Sequence, residues 1–283
     1  ALELNPSEAS SWYNLGVHLG YDLDKDTIVV NKVRYNKLEL LIKAVESNPK
    51  LAVPWYNIGT LIEGNPDKFP DQTAVIRGIK TSLVQCYVNA LNNDNRLPNA
   101  WNNVGTALSN PNDFVMIDGA KYTKKQCFIE ELENTPNHGS AWYNLATAME
   151  LSKSVFVEVN DEKLTRKKCL LNALRYNPHQ PGAWHNLATL LSNAREKVKI
   201  VIDANKKAGL KKKKTVFMNS TRCEEEALKM EPKLAIAWFG AATKMLDGGQ
   251  EVLRVGGKRY DKVASYLKAI ELEPQCYPAP HGD

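Results

Sequence analysis

Apolar and small residues recur along this chain at offsets of 3, 4 and 7 from a tryptophan. From Trp12 they are Leu15, Gly16 and Leu19; from Trp55, Ile58, Gly59 and Ile62; from Trp142, Leu145, Ala146 and Met149; from Trp184, Leu187, Ala188 and Leu191. Offsets of 0, 3, 4 and 7 trace one stripe of an α-helix. Each tryptophan therefore predicts a helix from the residue before it to about eight beyond, and the small residue at +4 lets a second helix approach closely. That second helix is legible too. Residues 122–132 and 260–270 are rich in helix formers, and both stretches run on to a proline, Pro136 and Pro274. Proline ends a helix because its ring cannot continue the hydrogen-bond ladder.

Between the two helices the period changes. Residues 27–35, 114–122 and 252–260 place β-branched and apolar residues around Asn31-Lys32, Asp118-Gly119 and Gly256-Gly257, and residues 155–161 keep the same register around Asn160-Asp161. Such dipeptides between short strands predict two-residue hairpins. Tyr35, Tyr122 and Tyr260 follow the turn at one spacing, with Leu164 in their place in the fourth block. The predicted block is helix A, hairpin, helix B.

All six tryptophans, Trp12, Trp55, Trp101, Trp142, Trp184 and Trp238, open such a block. Six residues upstream stands Pro6, Pro49, Pro136, Pro178 or Pro232, with Asn95 before Trp101. The widest gap, between Trp184 and Trp238, falls in the fifth block. Regular recurrence at this scale predicts a solenoid, in which each block buries its apolar face against its neighbours. The pattern of Trp, an aliphatic residue at +3, a small one at +4, a late alanine (Ala44, Ala90, Ala173, Ala227, Ala269) and a closing proline resembles the tetratricopeptide repeat family. The family's tyrosine at +7 is aliphatic or Met here, and its first helix-B alanine is often charged, as at Lys37, Lys124 and Arg166. The resemblance implies an all-α fold: a right-handed α-superhelix of about six helix-turn-helix repeats, each carrying a short β-hairpin insertion. The expected organisation is a single array over residues 1–283. Residues 1–6 match residues 269–274, so the chain reads as a segment of a longer protein.

Charge changes the picture only locally. The formal net charge is +5, but residues 194–222 alone contribute +8, leaving the rest at −3. Positive charge thus concentrates at one point, on Lys206, Lys207, Lys211, Lys212, Lys213 and Lys214, in the expected tip of the fifth hairpin. A nucleic-acid-binding superhelix would spread it along one face, so nucleic acid is not the expected partner. The lysine loop reads either as a solvated loop or as a contact for an acidic tail, RNA or a phosphorylated partner. Cys86, Cys127, Cys169 and Cys223 each lie four residues before the late-alanine position. Successive helices about 8–10 Å apart hold such thiols beyond the roughly 7 Å that a disulfide tolerates between Cα atoms. Four unpaired thiols predict a reducing compartment, hence a cytoplasmic protein. No signal-peptide pattern or membrane-length apolar run is present. No Cys/His cluster suggests a metal, and neither a nucleotide-binding glycine motif nor a nucleophile elbow suggests catalysis or a cofactor.

The expected function is therefore interaction. Asparagine stands two residues after Trp in five blocks (Asn14, Asn57, Asn103, Asn144, Asn186), and threonine three residues further on (Thr60, Thr106, Thr147, Thr189, Thr243). The resemblance implies that these positions face a concave groove. There an asparagine amide offers a donor and an acceptor to the backbone of an extended peptide. The same residues could equally bond within their own repeats. The family's clamps for C-terminal carboxylates use Lys or Arg just after Trp, where this chain has Tyr13, Tyr56, Asn102, Tyr143, His185 and Phe239, so no such clamp is expected. Two readings stay open. One is a non-catalytic scaffold holding an extended partner segment; the other is a structural protein that assembles end to end through repeat ends and hairpin edges, with successive hairpins pairing into one sheet.

Overall fold

The computed structural model describes residues 8–191, 197–203, 213–245 and 252–275. These residues run helix, hairpin, helix six times over, and the chain divides into two compact units, Ala1–Thr135 and Pro136–Asp283. The first unit holds α1 (Ala9–His18), β1 (Thr27–Val30), β2 (Val33–Asn36), α2 (Lys37–Ser47), α3 (Ala52–Glu63), β3 (Thr73–Ile76), β4 (Ile79–Ser82), α4 (Leu83–Asn93), α5 (Ala100–Ala107), β5 (Phe114–Ile117), β6 (Ala120–Thr123) and α6 (Lys124–Asn134). The second holds α7 (Gly139–Leu151), β7 (Phe156–Val159), β8 (Glu162–Thr165), α8 (Arg166–Tyr176), α9 (Pro181–Leu190), β9 (Val198–Asp203), β10 (Lys213–Met218), α10 (Ser220–Met230), α11 (Ala235–Lys244), β11 (Leu253–Val255), β12 (Lys258–Tyr260) and α12 (Lys262–Leu272).

The two helices of a block start by different means. Every helix B opens on a polar N-cap whose side chain accepts from the amide three residues on: Asn36, Ser82, Thr123, Thr165, Asn219 and Asp261. Each cap contributes about 1 kcal/mol. No helix A has a side-chain cap. Five of the A helices begin three residues before Trp, nearly a turn ahead of the apolar stripe. The exception, α5, starts at Ala100 because Asn99 adopts a left-handed backbone with φ of 65°. Its free amides find a substitute. The Glu131 carboxylate of α6 accepts from the amides of Asn99 (3.2 Å) and Asn102 (3.3 Å). Glu131 occupies the late-alanine position, so the one departure in that column supplies the cap that α5 lacks.

Five hairpins close through two residues that both have positive φ: Asn31-Lys32, Arg77-Gly78, Asp118-Gly119, Asn160-Asp161 and Gly256-Gly257. This is the turn whose twist matches that of the strands. The tip of the fifth hairpin lies outside the described residues. One hairpin face is buried, through Ala74 and Ile76, Val115 and Ile117, Val157 and Val159, Val198 and Ile200, or Leu253 and Val255. The hairpins do not join edge to edge, as the assembly reading required. Among the described residues each is its own two-stranded sheet. The reason is that hairpins pack on helix B of the block before them: β5 on α4, β9 on α8 and β11 on α10. Hydrogen bonds fix three such contacts. Arg77 Nη2 donates to the Glu46 carbonyl (2.6 Å), the Asp118 amide to Asn92 Oδ1 (2.8 Å) and the Arg254 amide to Glu225 Oε1 (2.8 Å). Each of these hairpins is a clasp between consecutive blocks.

The tryptophans tie the blocks together inside. Each indole N–H of Trp55, Trp101, Trp142, Trp184 and Trp238 donates to the carbonyl six residues upstream, on Pro49, Asn95, Pro136, Pro178 and Pro232, at 2.7–2.9 Å. The ring meets the hairpin tyrosine of its own block: Trp12 with Tyr35 at 5.3 Å, Trp101 with Tyr122 and Trp238 with Tyr260 at 4.7 Å between centroids. The small residue at +4 admits the next layer. A Cβ on Gly59 would lie 2.6 Å from the Tyr87 ring, and one on Gly105 2.6 Å from the Phe128 ring. The charged residues that open helix B serve the end of helix A. Lys37 Nζ donates to the Leu19 carbonyl (2.8 Å) and Lys124 Nζ to that of Leu108 (2.7 Å), each at the C-cap of its helix A. Arg166 instead pairs with Glu150 at 2.6 Å. Cys86, Cys127, Cys169 and Cys223 are unpaired and buried. Burial raises all four thiols, the first three to about 12.

Trp142→Ala is expected to cost about 3–5 kcal/mol in urea unfolding, as large aromatic truncations in cores do. Trp142→Phe keeps most of the bulk and loses only the bond to the Pro136 carbonyl, so about 1–3 kcal/mol is expected. An alanine variant as stable as its parent would remove the indole from the core.

Candidate functional site

The asparagine and threonine positions lie on the side of helix A opposite its core stripe. At about 3.6 residues per turn, offsets of 2 and 5 fall roughly half a turn from offsets of 0, 3, 4 and 7. The structure leaves them accessible. Asn14 is exposed, and Asn57, Asn103, Asn144 and Asn186 are half-buried. Among the described residues the side chains of Asn14, Asn57 and Asn186 make no hydrogen bond. Asn103 Nδ2 reaches the Tyr56 hydroxyl at 3.4 Å.

The threonines differ from the simple ladder. Thr60, Thr106, Thr189 and Thr243 donate their hydroxyl protons to the carbonyl three residues back in their own helix, at 2.8–2.9 Å, and Thr147 to the Tyr143 carbonyl four back at 3.1 Å. Hydroxyls in helices habitually take this local acceptor. The oxygen keeps a lone pair for an incoming donor, so these positions can accept from a ligand.

Aromatic residues after Trp support the same face in the first unit. Tyr56 lies 5.7 Å from Tyr87, whose hydroxyl donates to Glu63 at 2.7 Å. Burial and the Glu63 carboxylate hold the Tyr87 phenol far above its usual range.

Folding makes one pairing that the sequence spacing hid. His185 of α9 and Glu224 of α10 are far apart in the chain, yet His185 Nδ1 lies 3.0 Å from Glu224 Oε1 and 3.1 Å from Oε2. Both side chains are buried. Glu224 occupies the position three before the late alanine, where the other blocks place Leu41, Tyr87, Phe128, Leu170 and Tyr266. His185 stands where four of them have an aromatic residue. A polar pair has replaced an apolar one. It also accounts for the gap in the asparagine ladder: a side chain at Gly240 of α11 would collide with the Glu224 carboxylate and press on the His185 ring. Burial pushes the Glu224 carboxyl up to about 7, against the opposing pull of His185 and, more weakly, Lys244.

Lys206, Lys207, Lys211 and Lys212 lie outside the described residues. Lys213 belongs to β10, and Lys214 beside it is exposed. Outward-facing cations on the hairpins escape a reading built on tryptophan. They have a signal of their own: a basic residue two places after the turn recurs at Arg34, Lys80, Lys121, Lys163 and Arg259. Among the described residues no group of three or more His, Cys, Asp or Glu side chains could hold a metal ion, and no helix is long and apolar enough to cross a membrane.

No family model matches the chain, and no curated protein matches it. Among solved structures it is similar to the crystal structure of YrrB, a TPR protein with an unusual peptide-binding site, at 16% identity and a TM-score of 0.47 over 84% of this chain and 95% of that one. It is also similar to yeast Tom70, at 16% identity and a TM-score of 0.40 over 96% of this chain and 44% of that one.

The Glu224 carboxyl carries a pH signature. Its ordinary value is 4.5 and its folded value about 7. Between those values the folded chain holds the extra proton, so this group's contribution to stability falls as pH rises through the window. Glu224→Gln abolishes the titration. The stability of the parent relative to that variant is therefore expected to decline from about pH 4.5 to pH 7 in urea unfolding. A difference that stays constant across this range would contradict the assignment.

Proposed function

We propose that this chain is a non-catalytic interaction scaffold whose A helices hold an extended segment of a protein or peptide partner through asparagine amides. The observation that carries this reading is a division of labour on helix A. The Trp stripe performs the packing, while the opposite side repeats Asn at one position in five blocks and leaves three of those amides without hydrogen bonds among the described residues. A primary amide gives a peptide group both a donor and an acceptor whatever the side chains. The threonine oxygens beside it add acceptors.

Asn14→Ala with Asn57→Ala tests the scaffold reading, because both lie in the first unit and neither amide makes a hydrogen bond among the described residues. Each lost hydrogen bond is expected to remove about 1 kcal/mol of binding, roughly fivefold in affinity. Partner recovery in affinity purification of the double variant should therefore fall steeply while the melting temperature stays within about 2 °C of the parent. Undiminished recovery would place the partner elsewhere.

A further inference from the structure

On the side of each hairpin that faces away from the helices, one cross-strand pair stands at the centre. In the first unit these pairs are Val29–Arg34, Val75–Lys80 and Met116–Lys121. In the second they are Glu158–Lys163 and Arg254–Arg259, and the longer fifth hairpin sets Lys199 opposite Phe217. All twelve residues are exposed. Every pair contains a cation, and in four pairs its partner is apolar. Exposed valine, methionine and phenylalanine are poor choices for a face that only meets water. Val75 is 64% exposed and Phe217 61%.

Two of the cations are held above aromatic rings. Lys121 Nζ lies 3.9 Å from the Phe114 ring centre, and Lys163 Nζ 3.4 Å from that of Phe156. Acidic neighbours are few: Asp71 pairs with Lys80, and Glu158 faces Lys163. The Lys80–Asp71 pair is exposed on both sides, so it contributes little and yields readily to a competing carboxylate.

We propose that the outward hairpin faces of a unit bind an extended acidic segment of a protein partner, with carboxylates at every third residue and apolar side chains between them. Helices packed about 8–10 Å apart set the step from one hairpin to the next at roughly that distance. An extended chain in the polyproline-II conformation advances about 3.1 Å per residue with three residues per turn, so every third side chain returns to the same face after roughly 9 Å and meets the next cation. Val29, Val75 and Met116 cover the apolar residues in between. Nucleic acid fits this surface less well. The Phe114 and Phe156 rings already carry a lysine where a base would stack, and the exposed Val29, Val75 and Met116 side chains beside the cations offer a sugar–phosphate backbone no hydrogen-bonding group. This surface is separate from the asparagine face and does not depend on it.

The test uses the full chain and a fluorescein-labelled peptide of four Glu-Leu-Ser triplets. The comparison probes are a peptide of the same composition with its glutamates contiguous, and a uridine dodecamer. Fluorescence anisotropy is expected to show the triplet peptide binding best, with affinity falling as salt is raised. Arg34→Gln, Lys80→Gln and Lys121→Gln combined should weaken it at least tenfold, with circular dichroism unchanged, and each single change should weaken it about two- to threefold. Asn14→Ala with Asn57→Ala should leave it unaltered. Equal binding by parent and triple variant, no preference between the two peptides, or tighter binding of the uridine oligomer would each overturn the proposal.

Discussion

The structure depends on one hydrogen bond made five times among the described residues, from a tryptophan indole to the carbonyl six residues before it. The acceptor lies in the turn that follows one helix B, and the donor lies in the first turns of the next helix A. The bond therefore fixes how the turn before each helix A leads into that helix. It is made in a buried place, where an indole N–H without a partner would cost about 1–3 kcal/mol. Only the carbonyl is used. This is why Asn95 can stand where the other blocks have proline, and why the spacing is stricter than the residue type. The same ring then fixes the hairpin through Tyr35, Tyr122 or Tyr260, so one side chain positions both the helix entry and the insertion.

With the tryptophan set, the remaining contacts follow in layers. Gly59 and Gly105 bring aromatic side chains of helix B onto the backbone of helix A. Lys37 and Lys124 close the carbonyl end that this approach leaves bare. The hairpins reach back to the preceding helix B through Arg77, Asp118 and Arg254, where edge pairing would have left helix B uncovered. Each unit is thus stitched twice, by the indole inside and by the hairpin outside. Departures from the pattern have local compensation: Glu131 caps α5, and Gly240 makes room for Glu224.

Much of this was legible in the sequence, because it is repetition of local patterns. The tryptophan stripe located the A helices, and turn dipeptides located four of the hairpins; Arg77-Gly78 of the second came from the structure. Even the Trp-to-upstream spacing was visible, although it suggested a helix stop and concealed a hydrogen bond. Three things were not legible. Helix A begins ahead of its apolar stripe, since its first residues follow from the indole anchor and not from a cap. The hairpins stay separate, because a choice between sheet edge and helix surface is made by tertiary packing. The pairing of His185 with Glu224 joins helix A to helix B of the fifth block across its long hairpin, in columns that are mostly apolar in the other blocks, so the repeat pattern gave no hint of a polar pair. For the candidate site, the asparagines could be found by column, but the threonines' bonds to their own helices needed the helix geometry, and the cation row became clear only when strand register showed which side chains share a face.

Proton exchange at the tryptophan indoles, followed by NMR in the folded chain, tests the central interaction most directly. The indole protons of Trp55, Trp101, Trp142, Trp184 and Trp238 should exchange only as fast as their units open, well behind the amides of exposed turns. Exchange at the rate of a free indole, in a chain that keeps its helical circular dichroism, would contradict the anchor on which each unit is built.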